Sequence, residues 1–255
     1  MATFKKRGYK KSLKTQDNQN LRDSSQTAEV FEKLDSGASI SEKWIIKYQN
    51  KILSGLAIIA LLVLSFIAYD RYIKQPREKE AINELSQAQY FFDLAIANNN
   101  SDSLFNLAIN GGEGKYGFLE ITKEYKNTKA ANIANYSLGM SYLNLKDYEK
   151  AILFLEKFDS DDVFLKSISL GSIGDCFSEL NQPNEAFEYY QKAFNHGENS
   201  YTSPKFLFKA ALLGSQIGKN RLAIKFLKKI KDEFPDSYEA ALVDVQLGRL
   251  ENIVN

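Results

Sequence analysis

A chain of 255 residues allows one or two domains of ordinary size, so it is long enough to bury a real core. One cysteine, Cys176, excludes an internal disulfide framework and a zinc knuckle, and one histidine, His196, leaves little for metal or triad chemistry. The formal net charge of +1 is a cancellation: residues 1–51 carry eleven basic and six acidic side chains, residues 70–255 carry 22 and 26, and the stretch between carries none.

Residues 1–24 hold seven Lys or Arg, two acids and few large apolar side chains, a composition that cannot bury enough surface to offset chain entropy. This basic tail is expected to be disordered. Its run KKRGYKKSLK suits anionic lipid headgroups or RNA, or serves only as a solvated orientation signal. Residues 25–51 form a juxtamembrane segment. Within it TAEVFEKL has the pattern of a short amphipathic helix ended by Ser36-Gly37, and Ser39 with Glu42 has capping-box spacing before the next helix.

Residues 52–72 read as a transmembrane helix. From Ile52 to Tyr69 no residue is charged, and as a helix at ~1.5 Å per residue this run spans ~27 Å, close to the hydrocarbon thickness of a bilayer. Trp44 and Tyr48 before it and Tyr69 and Tyr72 after it stand where the two water interfaces fall. A cleaved signal has a short basic segment before its apolar run and a small-residue cleavage site after it, whereas here 51 residues precede the run and IAYDRYIKQP follows. An uncleaved anchor is expected rather than a signal or the core helix of a soluble fold. Lys33, Lys43, Lys47 and Lys51 on one side balance Arg71, Lys74, Arg77 and Lys79 on the other, so only the basic tail tips the orientation, with the tail in the cytoplasm.

Beyond the anchor the chain repeats itself. Tyr136-Ser-Leu-Gly-Met-Ser-Tyr-Leu leads to Tyr148-Glu-Lys-Ala151; Leu170-Gly-Ser-Ile-Gly-Asp-Cys-Phe leads to Asn184-Glu-Ala186; Leu207-Phe-Lys-Ala-Ala-Leu-Leu-Gly leads to Leu222-Ala223. The marker alanines lie 35 and then 37 residues apart, and Gly139, Gly174 and Ala211 each precede theirs by twelve. Such a period, with small residues at both packing positions, predicts paired helices stacked into an α-solenoid. The fold class is therefore all-α, one N-terminal transmembrane helix followed by the solenoid over 77–255. Repeats are expected at 132–165, 167–200 and 204–237, with a capping helix over 238–254. A degenerate unit over 77–128 precedes them, because Ile121 to Ala131 matches Ile230 to Ala240 at a constant separation of 109. Its first helix is expected over 77–97, and NNNSDSLFNLAINGGEGKYG as a long loop.

These units resemble the tetratricopeptide repeat family. The first supplies Leu138, Gly139, Tyr142 and Ala151, the second Gly174, Phe177, Ala186, Tyr190 and Ala193, the third Ala211, Ala223 and Pro235. None has the family's Trp, and Gly214 stands where the third unit should have its aromatic residue. The resemblance implies a groove lined by the first helix of each pair, here Tyr136, Met140 and Asn144, then Asp175, Ser178 and Glu179, then Lys205, Phe208, Leu212 and Ser215. Such a mixed polar and aromatic lining suits a peptide or protein segment, and the alternative for each residue is simple packing. The Lys and Asn clamp that some family members place on a terminal carboxylate is replaced here by Tyr136 and Met140.

No catalytic residue, cofactor site or metal site is expected. His196 reads as a helix-end residue and Cys176 as a small buried hydrophobe. The glycine-rich run after Asn110 lacks phosphate-loop spacing, and Asp159, Asp161 and Asp162 lack calcium-loop spacing. In layout the chain resembles ancillary subunits of the bacterial SecYEG translocon of YfgM type. That resemblance implies an inner-membrane protein with its repeats in the periplasm. Its implied partners are translocon subunits, a membrane-anchored chaperone of prolyl-isomerase type and exported chains, with lipid around the anchor and no nucleic acid. A scaffold for cell-wall or outer-membrane assembly, a cytosol-facing scaffold of opposite topology, and an enzyme remain open alternatives.

Overall fold

The computed structural model describes residues 26–98, 101–112 and 114–254, with side chains over 44–98, 101–112 and 114–251. The expected disordered tail, 1–24, lies outside the described residues. The chain divides into two compact units, Met1–Tyr69 and Asp70–Asn255.

In the first unit, α1 (Gln26–Tyr69) is a helix of 44 residues. It passes through Ser36-Gly37, where the sequence predicted a break. An interior glycine costs only ~1 kcal/mol, which cooperative propagation of a long helix absorbs. Among the described residues one helix is long and apolar enough to cross a membrane, and its most apolar 18-residue window has mean hydropathy 2.6 and no buried residue. Leu61 and Phe66 are 64% and 72% exposed. In water that surface would cost ~25 cal/mol per Å², whereas hydrocarbon removes the cost, so α1 has the surface of a membrane anchor. Trp44 and Tyr48 lie one turn apart with ring centroids at 5.3 Å, and Trp44 and Tyr69 are exposed.

The second unit begins with a π-helical turn, Asp70–Lys74, that carries exposed Tyr72, and continues into α2 (Gln75–Ala97), which has Pro76 in its first turn. Ala81, Leu85, Ala88, Phe92 and Ala95 recur every three or four residues and are buried, the stripe that a 3.6-residue period requires. The segment predicted as a long loop is largely structured. It holds α3 (Asp102–Asn110), then a two-residue ribbon of β1 (Gly111–Gly112) and β2 (Lys115–Tyr116). Phe105, Ala108 and Ile109 form an apolar face on α3, and Phe105 meets Phe92 edge-on at 5.9 Å, so burial of three side chains outweighs the surrounding Asn and Gly.

After α4 (Phe118–Glu124) come three helix pairs: α5 (Lys129–Asn144) with α6 (Tyr148–Lys157), α7 (Val163–Glu179) with α8 (Pro183–Asn195), and α9 (Thr202–Gln216) with α10 (Asn220–Glu233). Each helix packs on its pair-mate and the pairs stack in chain order, with α11 (Ala240–Val254) closing the row on α10. This is an α-solenoid.

The turns repeat as closely as the helices. Lys146, Asn181 and Gly218 hold φ of +61°, +55° and +77°, seven residues after Gly139, Gly174 and Ala211. In each turn the following amide reaches back five residues: Asp147 N to Tyr142 O at 2.9 Å, Gln182 N to Phe177 O at 2.8 Å, Lys219 N to Gly214 O at 2.7 Å. A left-handed residue with this long-range bond stops one helix and frees the chain to start the next antiparallel to it.

The apolar core forms two clusters, one from α2 to α6 with Cys176 of α7 and one from α8 to α11 with Leu170 and Phe177 of α7 packed against it. At their junction α7 buries Ser167, Ser169, Gly171, Ser172 and Gly174 beside a single large side chain, Ile173, where its neighbours bury Leu and Phe. Large rings fill the space they leave. A Cβ on Gly171 would strike the Phe206 ring of α9, and one on Gly174 would lie 2.7 Å from the Tyr190 ring of α8. Gly214, where the third unit lacks its aromatic residue, has Phe187 of the preceding pair 2.9 Å from where its Cβ would be.

Candidate binding groove

The small face of α7 brings polar residues from three helix pairs within reach of one another. Asp175 follows Gly174 directly, so the close approach of α8 at that glycine delivers the Tyr190 hydroxyl to the Asp175 carboxylate, donating at 2.7 Å. Phe206, accommodated at Gly171, draws α9 in and places Lys209 one turn on, where its Nζ donates to the same Asp175 oxygen at 2.5 Å. On the other side of α7, Tyr148 at the start of α6 donates to Glu179 at 3.3 Å.

These groups line a cavity of about 460 Å³ with Leu143, Asn144, Lys146 and Ser178. Asp175 and Lys209 keep 31% and 34% of their side-chain surface, so the pair is reachable from solvent and partly screened by it. Burial, and behind it the Asp175 charge, pushes the Tyr190 phenol well above the usual tyrosine range, so it stays a neutral donor. Burial also raises the Tyr148 phenol, with Glu179 adding to it. The site presents two carboxylates, two ammonium groups, an amide and two phenols around a small apolar patch. With the Ser178 hydroxyl among them, groups of both charges and of both hydrogen-bonding senses can set the orientation of a bound polar segment.

Of the residues expected along the groove, Asn144, Asp175, Ser178 and Glu179 line this cavity. The other six lie elsewhere. Tyr136 is half-buried with its ring 5.0 Å from that of Phe158, Met140 packs on the first core cluster and Phe208 on the second, and Lys205 is exposed beside the Phe206 ring at 5.6 Å. Leu212 is half-buried, and its carbonyl accepts from the Ser215 hydroxyl at 2.8 Å. Lys209 and Lys146 escaped the sequence reading, which has Tyr148 and Tyr190 only as repeat positions. Lys209 left a signal, since it stands 34 residues after Asp175, nearly one repeat, and opposite charges one repeat apart meet across stacked first helices.

Cys176, next to Asp175, points into the first cluster and is fully buried, and burial pushes its thiol up to about 12. His196 is exposed at the C-terminal cap of α8. Asp162 caps α7 by accepting from Leu165 N at 2.9 Å, and Asp159 pairs with Lys166 at 3.0 Å, which gives both acids structural work.

The tetratricopeptide repeat family model matches residues 134–160 and 168–195, which fall in the α5–α6 and α7–α8 pairs that build the cavity. No curated protein matches the chain. The two matched units are similar to tetratricopeptide repeats, which are protein-interaction scaffolds.

Proposed function

We propose that the chain is a non-enzymatic adaptor held at a membrane by α1, and that the cavity between its helix pairs docks a segment of a partner protein. The observation that carries this reading is the meeting of Asp175, Lys209, Glu179 and Tyr148 in one solvent-reachable cavity on repeats of an interaction family. An extended segment crossing the stacked pairs would exchange hydrogen bonds with both signs of charge in turn, which favours specificity over raw affinity.

The partner and compartment in this reading rest on the resemblance in layout to ancillary translocon subunits. A basic tail, one spanning helix and a repeat domain support an inner-membrane protein with a cytoplasmic tail and periplasmic repeats. In this reading it is associated with the Sec translocon and a membrane-anchored chaperone of prolyl-isomerase type, and it assists the hand-over of exported chains. The test is mild-detergent solubilisation of membranes holding the tagged full-length chain, with mass spectrometry of the proteins that co-purify and an anchor-only control. Translocon subunits together with a periplasmic chaperone, retained only when the repeats are present and reduced in a Glu179→Lys, Lys209→Glu chain, are expected. Cell-wall or outer-membrane assembly factors without translocon subunits would replace this partner assignment.

A further inference from the structure

A second cavity, of about 530 Å³, lies at the start of α2, away from the groove. Its lining includes Tyr72, Tyr116 and Tyr125, Glu80 and Glu124, and Arg77. The volume lies within the ~300–1,000 Å³ of small-molecule sites. Three elements converge to build it. The π-helical turn supplies Tyr72, the β-ribbon supplies Tyr116, whose ring is 6.4 Å from that of Tyr125, and α4 supplies Glu124, whose carbonyl accepts from the Arg77 guanidinium.

Charge decides what such a cavity can hold. Neighbouring acids have partners: Glu78 accepts from the amides of Lys129 and Ala130 at 2.9 and 3.1 Å, capping α5, and Glu84 pairs with Lys115 at 3.2 Å. Among the described residues the ion pairs include neither Glu80 nor Glu124. Two carboxylates outside any of these ion pairs, with Glu80 on the Tyr125 phenol, and three phenol rings make a receptor for an ammonium group, which is attracted to ring faces and to negative charge together. Arg77 spends one N–H on the Glu124 carbonyl and has others for an anion.

Position decides which ammonium. Tyr72 follows Tyr69, the last residue of the uncharged run, by three residues, a reach of at most ~10 Å. The polar layer on each side of a bilayer is ~5–8 Å deep. With α1 as a spanning helix, Tyr72 cannot leave the neighbourhood of the headgroups.

We propose that this cavity binds the headgroup of a zwitterionic phospholipid, its ammonium among Tyr72, Tyr116, Tyr125, Glu80 and Glu124 and its phosphate on Arg77. The inference rests on the anchor and is independent of any partner of the groove.

The experiment uses the full-length chain in nanodiscs of equimolar phosphatidylethanolamine and phosphatidylglycerol, released for native mass spectrometry that counts the lipids retained. The wild-type chain is expected to retain phosphatidylethanolamine about tenfold over phosphatidylglycerol. The preference should fall to about parity in Glu80→Gln, Glu124→Gln and by several-fold in Tyr72→Ala, a change at an exposed side chain. Tyr238→Ala, exposed and distant in sequence, should leave it unchanged. Equal retention of the two lipids by the wild type, or a preference that survives the carboxylate variant, would overturn the proposal. Flotation of the same chain with vesicles is the separate check on the anchor: a chain that floats but shows no preference loses the headgroup site alone, and one that does not float loses both.

Discussion

Asp175 and Lys209 meet at 2.5 Å across stacked first helices, and the Tyr190 hydroxyl reaches the same Asp175 oxygen from between them. One carboxylate therefore ties α7, α8 and α9 where the apolar core is interrupted by small residues. In that stretch polar bonds carry register that Leu and Phe carry elsewhere.

Asp175→Asn is expected to destabilise the repeat domain by about 1–2 kcal/mol, since charged hydrogen bonds contribute more than neutral ones and partial exposure discounts the pair. A double-mutant cycle with Lys209→Met, followed by thermal melts of the solubilised chain, should give a coupling of about 0.5–1 kcal/mol. A coupling of zero would assign the register to the apolar clusters alone.

Gly171→Ala should cost about 1–3 kcal/mol, because its methyl group enters the volume of the Phe206 ring and a packed core resists one added carbon. Phe206→Leu, itself destabilising, should make the added alanine cheaper. If the two substitutions instead add, the close approach at Gly171 is not what limits that site.

The left-handed turn residues give a pair of opposite signs. Gly218→Ala is expected to lose about 1 kcal/mol at φ +77°, whereas Lys146→Gly should gain a few tenths, the relief of a left-handed side chain offset in part by glycine's greater entropy when unfolded. Melting temperatures of the two variants moving in the same direction would contradict the shared turn geometry.

Alkaline pH should weaken the fold at Tyr190. Its folded pKa is raised above the unfolded value near 10, so the stability it contributes is complete below about pH 10 and is lost as pH rises through the folded value. Tyr190→Phe is expected to be less stable than wild type at pH 8 and to lose less between pH 9 and 11. Parallel stability curves for the two chains over that range would remove Tyr190 as the titrating group.

Cys176 should be silent to alkylating reagents in the folded chain. A fully buried thiol held near 12 offers almost no thiolate at pH 8, so modification should be on the order of a hundredfold slower than in denaturant and should follow unfolding. Fast labelling of the native chain would mean that α7 opens locally.

How much was legible in the sequence differs by feature. The all-α class was visible because a 35- to 37-residue spacing of small residues can only be met by repeated close approach of helix backbones. The long apolar helix was visible because 18 uncharged residues in a row leave no polar stripe to face water. By contrast, α3 was hidden because three Asn precede it and three Gly follow it closely, and local turn chemistry outweighed an apolar face whose value depends on Phe92 lying opposite.

By itself, then, the sequence determined what is periodic: the helix pairs, the marker glycines and alanines, and the apolar run, all consequences of spacing along one chain. Only the tertiary structure decided which polar side chains share a cavity. Asn144, Asp175 and Lys209 come from three helix pairs, and Tyr72 comes from a turn far in number from the ribbon of Tyr116 and the helix of Glu124. Their meeting depends on how closely backbones approach at Gly171 and Gly174 and on where the ribbon folds back at Gly111, distances that packing of rings into small-residue gaps sets.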